Sequence, residues 1–407
     1  MVDSVVENKR SSAGVILLYA MLFLFIYGPP FRFFPVNISL LLSTVLLSYF
    51  FLPISSRVFS LFKIELFLLL GICFYAVFIS LLNGAFYISN VLLNTPIVLL
   101  FFNIPVCFIL YRIFIRSVPL RYESDHYAYF VITLSNLAVF SSFLTLVFWL
   151  LNDVGEYVKF DLLKYDSDLM VYQSHRAYGL SDELLFSYSI VQASIFLLAL
   201  DKFGFGFRTF VLLSSVTVSI GLNARIGFLI LALMLFIPNF WSLKSFLGVI
   251  LFFASASYLY SVGQDDIVFI FDQFFYFLSD ISGYSDASST EYLLDNMIFM
   301  PEGFFSALFG MGINIFGGDG GSDSGYVLLL FYGGFFYIFM LLVFLLYIST
   351  RFIGSKYFVP VSILVVVFLI SNIKGLYFAP KPGMHLFVVV YVFLVLFAKL
   401  GLKGGFK

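Results

Sequence analysis

Arg225 is the only ionisable residue between Arg208 and Lys244, in the middle of an apolar stretch. An arginine there either snorkels to an interface or faces a polar hollow that holds an anion. In the second case its planar fork of donors suits a lipid diphosphate. A second arginine stands in Ser174-His175-Arg176-Ala177-Tyr178-Gly179, where the glycine permits a tight turn with close backbone approach. Arg176, on the same side as Arg225, would either swing down onto the membrane face or pair locally with Asp182 or Glu183. Asp323, in Ser322-Asp323-Ser324-Gly325-Tyr326, directly precedes an apolar run. It could accept a proton from a reacting hydroxyl, or it could help cap the helix that follows. Lys374 and Lys381 flank a turn just ahead of His385. They would complete a basic mouth over a diphosphate or snorkel to head groups.

These residues need a scaffold, and the composition defines it. The chain is 62% hydrophobic and 11% charged, with mean hydropathy +1.05, outside the range of soluble proteins. A formal charge of -1, with 22 Lys and Arg in 407 residues, leaves no basic face for nucleic acid. P-loop, HExxH, G-x-S-x-G and Cys/His zinc patterns are absent from the sequence. That disfavours an ATP-driven pump or a membrane zinc protease. Cys73 and Cys107 lie in apolar runs and read as buried thiols.

A hydrocarbon core of about 30 Å needs roughly 20 apolar residues per helix. Cutting the apolar runs at charges, prolines and glycines predicts an all-α polytopic membrane protein, 1–407, with about twelve transmembrane helices. The expected spans are 13–28, 36–53, 64–83, 91–115, 128–151, 184–201, 208–222, 226–240, 246–262, 326–350, 358–373 and 384–400. The first reads as a retained signal anchor. Asn94-Thr95-Pro96 and Asn103-Ile104-Pro105 should kink the fourth span or open a lateral cavity beside it. Region 208–240 reads as two short spans with a tight turn, or as one span and a re-entrant segment.

With both termini cytoplasmic, fifteen of the 22 Lys and Arg fall on the inner side. Only Arg32, Lys159, Lys164, Arg176, Arg225, Lys374 and Lys381 remain outside, as the positive-inside rule expects. Two long outer loops result, 152–183 and 263–325. Gly263 to Tyr326 carries ten Asp and Glu but no Lys or Arg, consistent with a translocated segment. Its Ile267–Phe275 and Phe304–Ile315 parts read as short amphipathic helices on the membrane surface.

Arg176-x-x-Gly179 in an outer loop, Asn223-Ala-Arg225-Ile-Gly227 in a later apolar run, and Leu308-Phe-Gly-Met-Gly312 followed by Ser322-Asp-Ser-Gly-Tyr326-Val and Gly333-Gly334 resemble the O-antigen polymerases. The O-antigen ligases share their plan. The resemblance implies a GT-C-like fold and an inverting glycosyltransferase at the periplasmic face of the bacterial inner membrane. Its donor and acceptor would be undecaprenyl-diphosphate-linked oligosaccharides, with no metal and no cofactor. Membrane lipids, a chain-length regulator and a flippase of the same pathway are the implied partners.

In that scheme Arg176 and Arg225 hold the diphosphate, and Asp323 or His175 orients or deprotonates the attacking sugar hydroxyl. Tyr178, Tyr284 and Tyr326 are placed to stack on sugar faces. Gly179 permits the turn, and Lys374 and Lys381 line the mouth. Ligases commonly carry His where this chain has Asp323, which favours polymerase over ligase. A lipid-linked oligosaccharide flippase is the alternative of another class. It would show inverted repeats and midplane charges, and neither is evident.

Overall fold

The computed structural model describes residues 12–34, 38–39, 41–47, 60–84, 91–119, 122–163, 179–181, 186–224, 226–245, 247–248, 250–252, 254, 297–315 and 321–402. Among them the fold is all-helical. Its extended backbone pairing is a single antiparallel bridge between Phe31 and Leu163. The helices are α1 (Ser12–Tyr27), α2 (Lys63–Leu82), α3 (Val91–Ser117), α4 (His126–Leu150), α5 (Asn152–Tyr157), α6 (Ser187–Phe203), α7 (Phe207–Gly221), α8 (Ile226–Ala232), α9 (Phe304–Phe309), α10 (Gly325–Thr350), α11 (Phe358–Lys374) and α12 (Pro382–Leu402). Five are long and apolar enough to cross a membrane: α2, α3, α4, α10 and α12 over Pro382–Lys399. The chain is thus membrane-embedded in character.

Helix α6 is the axis of the bundle. Every residue from Ser187 to Leu200 is buried, against α4, α7, α8, α11 and α12. A helix covered on all sides needs no polar face. Even so, α6 carries Ser187, Ser189, Gln192 and Ser194 inward. Ser194 is satisfied locally, donating to Ile190 O at 2.7 Å.

The prolines of α3 do not break it. Leu99–Asn103 widens into a π turn between Pro96 and Pro105, and the helix continues to Ser117. A π turn relieves the clash of the Pro105 ring with the preceding turn. Pro96 has no N–H for the Leu92 carbonyl. The Tyr337 hydroxyl of α10 donates to that oxygen at 3.2 Å.

Three further expectations are refined. Span 326–350 is helical over Gly325–Thr350 but broken at Gly334 (φ 68°, ψ -172°). Helix α9 stops at Phe309, because Gly310 (φ 79°) turns the chain, and the segment to Ile315 is not helical. Helix α8 gives way at Leu233 to 3-10 turns over Leu233–Phe236 and Pro238–Trp241. Ile237 is extended between them, as a residue before proline prefers. Ile267–Phe275 lies outside the described residues.

Two ion pairs lie at one end of the bundle. Asp125 caps α4 by accepting from Ala128 N at 3.0 Å and pairs with Lys202 at the end of α6. Arg351, at the end of α10, pairs with the buried Glu65 of α2 and donates to Leu61 O at 3.0 Å and to the Tyr391 hydroxyl of α12 at 3.2 Å. Lys202, Arg351, Lys63 and Lys356 all belong to the set sorted to one side in the sequence. The opposite end is lined by serine, threonine, tyrosine, asparagine and glycine.

Candidate functional site

At that opposite end, Gly179 and Leu180 have consecutive positive φ angles, 52° and 65°. Leu180 is the one non-glycine residue in that region among those described. The turn is held down on α4: Ser141 Oγ donates to Gly179 O at 3.2 Å. It leaves no room for a side chain. A Cβ on Gly179 would lie 2.6 Å from both Ser141 O and Thr145 Oγ1.

The same stretch of α4 holds the start of α6 and the end of α7. The Tyr188 hydroxyl lies 2.8 Å from Thr145 Oγ1 and 3.2 Å from Ser141 Oγ. Thr145 Oγ1 donates to Ser141 O at 3.0 Å, so the Tyr188 proton points at Thr145. Ser142 Oγ donates to Ser219 Oγ at 3.2 Å, and Asn223 Nδ2 donates to Ser219 O at 2.6 Å. Deeper, Gln192 Nε2 donates to the Tyr27 hydroxyl of α1 at 3.3 Å.

On the other flank, the turn between α11 and α12 is built around Asn372. Its Oδ1 accepts from Tyr377 N at 3.1 Å, and its Nδ2 donates to Phe368 O at 2.8 Å. Tyr377 OH donates to Gly383 O at 2.8 Å, and Gly383 N donates to Ser187 Oγ at 2.7 Å, which ties the turn to α6. Burial pushes the Tyr377 hydroxyl well above the ordinary range, so it stays protonated as a donor. Helix α10 enters against this turn. A Cβ on Gly325 would sit 2.4 Å from Gly375 O and 2.7 Å from Asn372 Oδ1.

Asp323 is exposed at that entry. It is not the cap: Ser324 occupies the N-cap position and makes no side-chain capping bond. Instead Ser322 Oγ accepts from Ser324 N at 3.0 Å and donates to Met297 O at 2.6 Å, which fixes the turn and leaves the neighbouring carboxylate facing out. The Tyr326 hydroxyl donates to Leu369 O of α11 at 2.7 Å, so it is committed to packing α10 on α11. Lys374 and Lys381 are half-buried at the two ends of the same turn.

Asp323, Gly179, Tyr326, Lys374 and Lys381 thus lie at one end of the bundle, joined through α4, α6 and the α11–α12 turn. Arg176, Arg225, His175, Tyr178 and Tyr284 lie outside the described residues. The anchors beside them, Gly179 and Asn223, are both bonded to α4, at adjacent residues Ser141 and Ser142 through Ser219. Sequence reasoning missed the polar lining of Ser141, Thr145, Tyr188, Gln192 and Ser219. Small hydroxyl residues in apolar runs are a weak signal, although their recurrence at 141, 142 and 145 marks one helical face.

Buried polar atoms without a partner among the described residues concentrate here. Gln192 Oε1, Asn223 Oδ1, Ser189 Oγ, Ser371 Oγ and His385 Nδ1 are among them. Such groups are costly unless water, a ligand or a residue outside the described set completes their hydrogen bonding. Among the described residues, no three His, Cys, Asp or Glu side chains stand close enough to hold a metal ion. The arrangement offers hydroxyl and amide hydrogen bonding inside and an exposed carboxylate with two lysines at the rim. No family model matches the chain, and no curated protein matches it.

Proposed function

We propose that the chain is a polysaccharide repeat-unit polymerase of the O-antigen type, a glycosyltransferase of the bacterial inner membrane working at its periplasmic face. The reading includes twelve spans with cytoplasmic termini and a GT-C-like plan. The observation that carries it is the convergence at one end of the bundle of four distant stretches: 179–181, 219–223, 321–326 and 372–383. The charged clasp of Asp125, Lys202, Glu65 and Arg351 lies at the other end, in keeping with a basic cytoplasmic side.

In the proposed reaction, a sugar hydroxyl of one lipid-linked unit attacks the anomeric carbon at the reducing end of the growing chain. The carbon–oxygen bond to the diphosphate breaks, and the electron pair leaves on phosphate. Undecaprenyl diphosphate is a good leaving group, so the main demand is stabilisation of developing phosphate charge, the role given to Arg176 and Arg225. The proton of the attacking hydroxyl passes to Asp323, and attack opposite the leaving group inverts the anomeric centre. Lys374 and Lys381 add positive potential at the rim.

The test is a gel of lipopolysaccharide from a deletion strain with and without the gene. A polymerase restores a ladder over a core bearing one unit. A flippase restores the single-unit band as well, since its loss removes even that. A ligase is identified by transfer of finished chains to purified core lipid.

A further inference from the structure

Helix α10 is broken by part of the large outer loop, and the break has a specific hydrogen-bond arithmetic. In an unbroken α-helix the carbonyls of Phe331 and Tyr332 would accept from the amides of Phe335 and Phe336. Here they accept from Met311 N and Gly312 N, each at 2.8 Å. Two loop amides occupy two carbonyls that the helix could otherwise use itself.

Glycine makes the exchange sterically possible. Gly334 has φ 68°, and a Cβ there would lie 2.4 Å from Leu308 O and 2.6 Å from Gly310 N. Gly310 has φ 79°, and its Cβ would lie 2.4 Å from Tyr332 O. Both backbones approach to a distance that no side chain tolerates.

Helix α2 pins the strap and the break together. The Tyr75 hydroxyl is 2.8 Å from Phe309 O and 3.0 Å from Gly333 O, so one proton is shared between strap and helix. One turn on, Tyr332 OH lies 3.0 Å from Ala76 O and 2.9 Å from Ser80 Oγ. A Cβ on Gly312 would meet Ile79 O at 3.1 Å, with Asn83 beyond it. Residues 75, 79 and 83 form one stripe of α2, and the strap lies along it.

We infer that Tyr75 is a positioning residue that holds the Phe309–Gly312 strap in the break of α10, and so sets where the outer half-helix Gly325–Gly333 presents the Ser322–Tyr326 turn. Releasing the strap returns Phe331 O and Tyr332 O to the helix and lets α10 close. The outer half then changes direction, and Asp323 moves with it. Strap-in and strap-out forms with matched backbone bonding make a two-state element through which the outer loop controls the site. The functional part of this inference rests on the proposed role of Asp323; the structural part does not.

The experiment uses the full chain in nanodiscs of phosphatidylethanolamine and phosphatidylglycerol, followed by hydrogen–deuterium exchange, alongside the lipopolysaccharide ladder in a deletion strain. Tyr75→Phe removes the shared proton and nothing else. Exchange at 309–312 should rise about tenfold, as for loss of one part-buried hydrogen bond shared by two carbonyls, with the melting temperature unchanged and the ladder shortened. Gly334→Ala, which expels the strap sterically, should protect 333–337 while exposing 309–312. Unchanged exchange in both variants overturns the strap. Faster exchange with a wild-type ladder overturns the positioning role. A wild-type gene that restores no ladder overturns the polymerase reading, and the exchange data still decide the strap.

Discussion

Replacing Gly179 by alanine tests whether the turn beside Arg176 must dock on α4. The φ of 52° is left-handed, which costs a non-glycine residue about 1 kcal/mol. The new Cβ would lie 2.6 Å from Ser141 O and Thr145 Oγ1, about 0.8 Å short of ordinary van der Waals contact. Neither neighbour can retreat: Ser141 O is helix backbone, and Thr145 Oγ1 is held by Ser141 O and Tyr188 OH. The turn must therefore lift by roughly 1 Å, a displacement that can cost about a hundredfold in rate when it carries a catalytic group. Total strain of about 1–3 kcal/mol should leave the chain folded.

Gly204→Ala is the control for backbone strain without a clash. Its φ of 64° and ψ of -164° lie in a region nearly confined to glycine, but nothing lies within 4 Å of the new Cβ, and it sits at the other end of α6. Both variants would be expressed in the deletion strain and compared by ladder and by membrane level. The expected result is near-loss of the ladder for Gly179→Ala and a full ladder for Gly204→Ala at equal protein. Equal ladders, or equal losses, would refute the docking argument.

Arg176→Ala and Arg225→Ala should each abolish chain extension at normal membrane levels, and Arg→Lys should rescue poorly, because an ammonium lacks the two-pronged geometry; ladder gels check both. Glu65→Gln leaves the half-buried Arg351 without its counter-charge, though still bonded to Leu61 O and Tyr391, and should cost about 1–3 kcal/mol, whereas Glu65→Leu with Arg351→Met should recover most of it; thermal unfolding in detergent reads the difference. Burial alone would raise the Asp125 carboxyl, but its hydrogen bonds to Lys202 and the Ala128 amide and the charges on Lys202 and Lys356 outweigh burial and hold it below its ordinary value of 3.8. A depressed acid contributes stability that is fully present above the unfolded value and is lost as pH falls through the folded one. The melting advantage of the native chain over Asp125→Asn should therefore be constant from pH 7 down to about 5 and should decline below that as the pH falls through the unfolded value towards the folded one.

The helices were legible because hydrocarbon forces long apolar runs. Expected spans 64–83, 128–151, 326–350 and 358–373 differ from α2, α4, α10 and α11 by at most two residues at either end. The break in α10 was not read, although Gly333-Gly334 stood in plain view. Two glycines permit a break, but only a strap with free amides makes one favourable. The π turn in α3 is not legible either, because a proline permits a kink, a cavity or a widened turn, and only the packed helix selects among them. In the candidate region, Asp323, Lys374 and Lys381 are legible as charged residues at the ends of apolar runs, and Gly179 as a turn glycine. The hydroxyl lining of α4 was not, because Ser and Thr can bond their own helix and pass unnoticed in a greasy run.

The hydrogen bond from Tyr337 of α10 to Leu92 of α3 has a consequence for biogenesis, because its two ends lie 245 residues apart. At a synthesis rate of about 5–20 residues per second, the ribosome needs roughly 12–50 s to deliver that hydroxyl after Leu92 has emerged. Through that interval α3 waits without its α10 partner, so the contact that joins the two helices is completed only once most of the chain has been made.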